Sequence, residues 1–498
     1  MQLDDEKVDI RGIDRSLMRG IAWTGMAKWS TQLVTWSATI ILARLLTPAA
    51  FGIVSMATLY LGFVALFNEM GIGAAVVNMR DLTPAEIRQI HTVSVGLGLA
   101  GFVVACAMAI PIGIIFHANE VPPVIAVLGL SFVVNAFKTV PVALLQREFR
   151  FKFLAFNEGC QAIVMASGEV VLALLGFGYW SLVIGELLGL AAAAALAFAR
   201  RPLAFAVPRF SKLGRVTRFT LNLLGGRILW YVYSNADFAV VGRVMGKESL
   251  GIYQIAWNFS NMPLRKITEL ITRVTPSAFA AVQQDKVLLR RYFLNITEGL
   301  SLVTFPLCVG ITLVADDFVK LALGPQWIDA IIPLRLLSVY ISMRTIQTII
   351  PQVVIALGDT RFLMHNGILA IVVMPAAFLI GTHWGLAGVG WAWMIAYPIV
   401  AAPMYVKLHR MIDLRAGPYL RSIWPATSAA LLMSVVVLVV RVFLPSGLPI
   451  AARLAAQVAA GGLTYVGTIW FLHRGRVRAV WSAMSTMRRP VPVGHVGG

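Results

Sequence analysis

The chain is 498 residues long, 58% hydrophobic and only 13% charged, with a mean hydropathy of +0.79. These shares lie far from those of soluble domains and exclude a water-soluble globule or a disordered chain. The formal net charge of +19 would point to nucleic acid in a soluble protein. In so apolar a chain it reads as cation-rich membrane loops that attract anionic lipid, so no nucleic-acid partner is expected.

Residues 1–20 are charged and carry no apolar core beside a small-residue cleavage site, so no signal peptide is expected and the first apolar stretch is the insertion signal. Apolar runs of roughly 20 residues then predict about fourteen membrane helices. They lie near 21–46, 50–78, 90–115, 122–146, 153–175, 178–199, 217–241, 249–280, 292–314, 330–357, 361–381, 385–407, 422–443 and 449–472. The fold class is an all-α polytopic membrane protein. The tenth helix contains Pro351, where a kink is expected. Connections are short: the longest inner one, about 199–217, is too small for a domain, and the longest outer one runs from Ala315 to Asp329.

Lys and Arg orient these helices. With the N-terminus inside, the inner segments carry Lys7, Arg11, Arg15 and Arg19, then Arg80 and Arg88, Arg147 to Lys152, and Arg200 to Arg218. Lys286 to Arg291, Lys407 to Arg421 and a tail from Arg474 to Arg489 follow on the same side, whereas the outer loops around His117, Gly178 and His383 hold no Lys or Arg. Both termini are therefore expected in the cytoplasm, which requires an even number of spans.

Motifs for nucleotide, metal or redox chemistry fail on context. Gly96, Gly98 and Gly101 fit a dinucleotide fingerprint but sit inside a helix with no strand before them, where glycines permit close helix packing. Gly242 to Glu248 is one residue short of a Walker A loop and ends in Glu where magnesium needs Ser or Thr. The three cysteines, Cys106, Cys160 and Cys308, lie in separate apolar spans as core residues, and the seven histidines form no zinc pattern. No cofactor is expected.

Residues 24–57 and 223–256 are one pattern written twice. Lys28, Arg44, Phe51-Gly52-Ile53 and Ala57 correspond to Arg227, Arg243, Leu250-Gly251-Ile252 and Ala256. A cation in the first apolar span of each copy suggests a central polar site shared by two halves. Helical spacing organises the other polar residues of the spans. Helix 1 carries Thr24, Lys28, Thr31, Thr35 and Thr39, helix 4 carries Ser131, Asn135 and Lys138, and helix 5 carries Glu158, Gln161 and Glu169. Arg227, Asn235 and Asp237 lie on helix 7, Arg265, Lys266, Glu269 and Arg273 on helix 8, and Arg344, Thr348 and Gln352 on helix 10. A cation at the bilayer centre costs roughly 2.5–3.5 kcal/mol, so such residues face water or a partner. Snorkelling of Lys28, Lys138 and Arg227, or an ion-pair ladder through Arg265, Glu269 and Arg273, accounts for single residues. The whole set describes a wet, cationic lumen suited to an anionic cargo, since arginine grips phosphate bidentately and lysine acts as a point charge.

The segments Leu42–Val54, Gly71–Ala75, Pro141–Lys152 and Gly176–Val183, with Asn235–Asp237, Gly242–Gly246, Leu250–Tyr253 and Leu323–Trp327, give the chain its resemblance to a family. It resembles the lipid-linked oligosaccharide (Wzx-type polysaccharide) flippases of the multidrug/oligosaccharidyl-lipid/polysaccharide exporter superfamily. The resemblance implies two six-helix bundles related by a pseudo-two-fold axis along the membrane normal, plus two C-terminal helices. The corresponding divisions are a cytoplasmic segment 1–20, an N-lobe 21–199, a basic linker 200–216, a C-lobe 217–408, the last two helices within 409–473 and a basic tail 474–498. It implies a transporter, not an enzyme, that moves polyprenyl-diphosphate oligosaccharide units to the outer leaflet of the bacterial cytoplasmic membrane by alternating access. A polysaccharide polymerase and a chain-length regulator would be its partners. On that resemblance Lys28, Lys138, Arg227, Arg265, Lys266 and Arg344 hold the diphosphate and first sugars. Trp36, Trp230, Tyr231 and Trp257 stack on sugar rings, and Asp237, Glu69, Glu158 and Glu269 couple transport to protons or sodium. Two alternatives stay open: a small-molecule antiporter of the same superfamily, and a polysaccharide polymerase or ligase, which would carry catalytic Arg or His on a sizeable outer loop.

Overall fold

The computed structural model describes residues 31–68, 71–79, 81–208, 210–445 and 447–474, except for the side chains of 210–225, 263–264, 266–274 and 277. Among these residues the backbone is helical apart from short connections, and no strand occurs. Hydrocarbon offers no partner to a backbone N–H or C=O, so a spanning segment that is not part of a closed barrel must close its own hydrogen bonds as a helix. Nine stretches among the described residues are long and apolar enough to cross a membrane, and the protein is a multi-pass membrane protein.

The helices in chain order are α1 (31–45), α2 (Pro48–Asn68), α3 (Ile72–Asn78), α4 (Pro84–Phe116), α5 (Val121–Arg147), α6 (Phe151–Leu174) and α7 (Trp180–Arg200). Then come α8 (Phe210–Ala281), α9 (Lys286–Phe318), α10 (Ile331–Gln347), α11 (Ile350–Ala356), α12 (Thr360–Gly381), α13 (Gly385–Ile412), α14 (Ala416–Phe443) and α15 (Ile450–Leu472). Several boundaries depart from the sequence reading for local reasons. Helix α4 begins before residue 90 because Thr83 and Glu86 form a reciprocal capping box, with Pro84 in the first turn where its missing N–H is harmless. The stretch read as one helix over 50–78 is divided into α2 and α3, and Gly71 enters α3 with φ 61°. The helix read over 330–357 is broken after Gln347, and Pro351 occupies the first turn of α11. The segment expected as the longest outer loop, Ala315 to Asp329, is instead wound into the end of α9, a π turn (Val319–Leu323) and a 3-10 turn (Pro325–Ala330). These join at Gly324 with φ 105° and are held by the fully buried Trp327.

The chain forms two compact units, Met1–Gly251 and Ile252–Gly498. In the first unit, small residues let helices approach. A Cβ on Gly98 would lie 2.6 Å from that of Ala136, which brings α4 onto α5, and one on Gly189 would lie 2.6 Å from that of Met165, which brings α7 onto α6. The closest approach joins the two repeat copies. A Cβ on Gly52 would fall 1.7 Å from the Lys247 carbonyl oxygen, and one on Gly251 would fall 1.8 Å from the Pro48 carbonyl oxygen. Gly52 corresponds to Gly251 and Pro48 to Lys247 in the repeat, so the contact is reciprocal. Helical geometry is interrupted beside it at Gly246, φ 84°. There the Lys247 ammonium meets the Glu120 carboxylate, and the Arg243 guanidinium meets the His117 imidazole.

In the second unit, consecutive aspartates at the end of α9 dock the last two helices. Asp316 accepts from Arg335 on α10 at 2.7 Å and from Arg441 on α14 at 2.6 Å, while Asp317 accepts from Arg453 at 3.1 Å and Gln457 at 2.8 Å, both on α15. Tyr465 adds a bond from its hydroxyl to the Leu302 carbonyl at 2.8 Å. The interior of this unit is aromatic. Trp393 donates to the Tyr253 hydroxyl at 2.9 Å and stacks on Tyr340 with ring centroids 4.3 Å apart.

Both the glycine contacts and the Lys247–Glu120 pair are open to test. Gly189→Leu should lower the melting temperature of the detergent-purified protein by forcing α6 and α7 apart, an overpacking effect of about 1–3 kcal/mol. Gly462→Ala, whose added methyl meets nothing within 4 Å, should not lower it. The second concerns Glu120, whose carboxyl is held below the usual carboxylate range chiefly by its hydrogen bond from Lys247. Its stabilising contribution is therefore present above that range and lost as pH falls through the depressed value. Melting temperatures of wild type and Lys247→Gln should differ at neutral pH and converge on acidification; curves that stay parallel would mean that the pair contributes nothing.

Candidate functional site

Within the first unit, α2, α3, α4, α5, α7 and α8 surround a cavity of about 530 Å³. Its polar lining comprises Thr58, Asn68, Ser94, Asn135, Glu186 and Arg227, together with Ser131 and Thr139. Leu61, Leu128 and Phe132 supply its apolar wall. Three of the hydroxyls donate to helix carbonyls: Thr58 to Val54 at 2.9 Å, Ser94 to Ala136 at 3.2 Å and Thr139 to Asn135 at 2.8 Å. Polar groups satisfied in this way remain in an apolar environment at small cost. Arg227 and Glu186 bring opposite formal charges to the same chamber, and neither would be stable facing lipid.

Local packing explains why Arg227 lines it. One turn further along α8, the Tyr231 hydroxyl donates to the Leu59 carbonyl at 2.6 Å and lies where a side chain on Gly62 would stand, fixing α8 against α2. Residues four apart share a helix face, so Arg227 lies on the Tyr231 face of α8. Asn135 and Thr139 reach the cavity from α5, while Lys138 turns to α6 and donates to the Gln161 amide oxygen at 3.1 Å, within the electrostatic reach of Glu158.

The other residues singled out in the sequence are dispersed. Asp237 is fully buried on α8, away from the cavity lining, and Glu158 is exposed on α6. In the second unit Arg265 is exposed, and the Arg344 guanidinium lies 5.7 Å over the ring of Trp257, a cation–π arrangement. Lys28 and Glu69 lie outside the described residues, as do the side chains of Lys266 and Glu269. Among the aromatics, Tyr231 packs against α2, Trp230 is exposed, and Trp36 is partly buried on α1. Glu186 was not among the residues picked out. A single acid in the otherwise uncharged apolar run from Trp180 to Phe198 was the available signal. The two nucleotide-like motifs serve packing: Gly98 and Gly101 abut Ala136 and Asn68, and Lys247 is paired with Glu120. Among the described residues no cluster of His, Cys, Asp or Glu could hold a metal ion.

Solved structures identify the fold. The chain superposes on the lipid II flippase MurJ in its inward closed conformation with a TM-score of 0.72 at 14% identity, covering 92% of this chain and 100% of that one. An inward-facing multidrug resistance MATE family transporter of the MOP superfamily gives a TM-score of 0.63 at 17% identity, covering 77% and 94%. The fold is thus the one these two proteins share. Residues 41–332 match the polysaccharide biosynthesis protein family, and the chain belongs to it. It is 25% identical to the teichuronic acid biosynthesis protein TuaB of Bacillus subtilis, across 91% of this chain and 95% of that protein. It is 26% identical to the lipopolysaccharide biosynthesis protein WzxC of Escherichia coli, across 77% and 79%, and 23% identical to the succinoglycan biosynthesis transport protein ExoT of Rhizobium meliloti, across 96% and 97%.

If the chamber is wet, Asn135→Cys in a background lacking Cys106, Cys160 and Cys308 should react with a membrane-impermeant maleimide in open membrane sheets. Ala105→Cys, at a fully buried position of α4, should react at least about tenfold more slowly, in keeping with the requirement of thiolate chemistry for access. Equal rates would show that the chamber is closed to water.

Proposed function

We propose that the protein is a flippase that carries polyprenyl-diphosphate-linked oligosaccharide units from the inner to the outer leaflet of the cytoplasmic membrane, for assembly of exopolysaccharide, capsule or O-antigen. The observation that carries this reading is the polar chamber with Arg227 inside an otherwise apolar helical unit. Drawing a diphosphate and several sugars through hydrocarbon unaided would strip hydrogen bonds at several kcal/mol per group. A chamber that supplies water, hydroxyls, amides and a cation removes most of that barrier. Membership of a polysaccharide biosynthesis family, and relatives named for teichuronic acid, lipopolysaccharide and succinoglycan biosynthesis, support the substrate class.

In this reading Arg227 and its repeat counterpart Lys28 hold the diphosphate, with Lys138, Arg265, Lys266 and Arg344 along its path and Trp257 offering a ring face to a sugar. Glu186 joins Asp237, Glu69, Glu158 and Glu269 as acids that couple transport to a proton or sodium ion. The layout is two six-helix bundles, residues 21–199 and 217–408, related by a pseudo-two-fold axis along the membrane normal and followed by two helices within 409–473, with a basic linker at 200–216 between the bundles. The sequence duplication and the reciprocal contact of Gly52 and Gly251 support it. The distribution of Lys and Arg supports cytoplasmic termini, with the charged segment 1–20 and the basic tail 474–498 inside. A polymerase and a chain-length regulator would receive the flipped units. Release requires weaker binding in the outward state, since a ligand held equally in both states shifts no equilibrium. The glycine crossing, with the pairs Lys247–Glu120 and Arg243–His117 beside it, would part in that step.

The test is the leaflet location of the lipid-linked units in cells lacking the protein, read by lectin access in right-side-out spheroplasts. Units trapped on the inner face are expected. Units accumulating outside would favour a polymerase or ligase, and an unchanged lipid pool would favour a small-molecule antiporter. Reversing charge at Lys28 and Arg227 together should reduce export at least about tenfold, since each charge-assisted hydrogen bond lost is worth about 1.5–3 kcal/mol, while membrane insertion and melting temperature stay near wild type. Undiminished export from that variant would refute the assigned roles.

A further inference from the structure

Several helices close with the same pair of hydrogen bonds, in which one amide reaches back five residues and the amide before it three, with the turning residue in the left-handed region. At the end of α6 these run from Phe177 to Leu172 and from Gly176 to Ala173, both 3.1 Å, and the turning residue is Gly176, φ 83°. At the end of α11 they run from Asp359 to Val354 at 3.2 Å and from Gly358 to Ile355 at 3.0 Å, turning at Gly358, φ 83°. At the end of α5 they run from Arg150 to Leu145 at 2.9 Å and from Phe149 to Gln146 at 3.0 Å, and the turning residue is Phe149, φ 56°. A bulky side chain is disfavoured in this conformation and glycine is not. The backbone therefore gains nothing from phenylalanine here.

Packing gives no reason for it either. Phe149 is 69% exposed, and its edge-to-face neighbour Phe151, 5.9 Å away, is 50% exposed. Cations surround this pair: Arg150 and Lys152 are exposed in the same turn. The end of α7 adds Arg201, which is paired with Glu148, the one acid between Arg147 and Lys152, and Arg200, which lies 5.9 Å over the Phe153 ring. The turn thus presents an aromatic wedge inside a net positive rim. Helix α5 has 27 residues, about 40 Å of helix against a hydrocarbon core of about 30 Å, so its end reaches headgroup level.

We propose that the α5–α6 turn and the end of α7 form a binding site for an anionic phospholipid. Phe149 and Phe151 insert among the upper acyl chains, and Arg150 and Lys152 bind the headgroup phosphate, as basic and aromatic side chains do at membrane interfaces. A soluble anion would satisfy the cations but leave both rings in water, which is why a lipid is the occupant. The site is separate from the chamber and does not rest on what the protein transports.

Phe149→Gly separates this role from folding, because glycine suits the turn while the wedge is lost. Native mass spectrometry of the full-length protein in detergent, titrated with phosphatidylglycerol and with phosphatidylcholine, reads occupancy directly. Wild type should retain phosphatidylglycerol at least several-fold more than phosphatidylcholine. Phe149→Gly should melt at or above the wild-type temperature yet lose most of that preference, and Arg150→Gln with Lys152→Gln should lose it without losing the weak phosphatidylcholine binding. Wild-type phosphatidylglycerol occupancy in both variants, or equal retention of the two lipids by wild type, would overturn the proposal.

Discussion

Everything in this structure follows from the absence of water around the backbone. A spanning segment that cannot hydrogen-bond to solvent must bond to itself, and the described chain accordingly runs from helix to helix with connections too short to hold a domain. Each irregularity has a compensating device. The capping box at Thr83 and Glu86 satisfies amides at the start of α4, the Asp285 carboxylate does so for α9, and left-handed turns close the carbonyls at the ends of α5, α6 and α11.

Between helices, hydrophobicity is no guide, because lipid is as apolar as any side chain, and close approach decides instead. Gly98, Gly185 and Gly189 stand where added side chains would strike a neighbouring helix. The reciprocal meeting of Gly52 with Lys247 and Gly251 with Pro48 is the sharpest case. Two copies of one sequence pattern cross backbone to backbone, and only glycine permits it. Lys247 at this crossing also pairs with Glu120, so a packing contact and an ion pair lie side by side.

Several charges inside the helical units are answered by a partner. Asp316 and Asp317 spend their carboxylates on three arginines and a glutamine that tie α10, α14 and α15 to α9. Arg344 rests on Trp257, and Lys138 on Gln161. Arg227 and Glu186 line one chamber together, which is the physical basis for proposing that chamber as the transport site.

Much of this was legible in the sequence. The run of apolar segments, the repeat from Lys28 onward in Arg227, and the excess of cations in alternate loops are all one-dimensional properties, set by hydrocarbon thickness and by the energy of crossing it with charge. They determined the all-helical membrane class, and the shared segments pointed to the family. Which polar residues meet was not legible, because helical spacing assigns a residue to a face but not the face to a neighbour. Lys138 and Asn135 are one turn apart on α5, yet Asn135 lines the chamber and Lys138 bonds to α6. Glu186, a single acid among alanines and leucines, lines the chamber, a placement that its position along α7 does not reveal. Phe149 looks like an ordinary loop aromatic until its φ shows that it holds a position made for glycine. Tertiary packing alone decides such matters, since it depends on where backbones can approach.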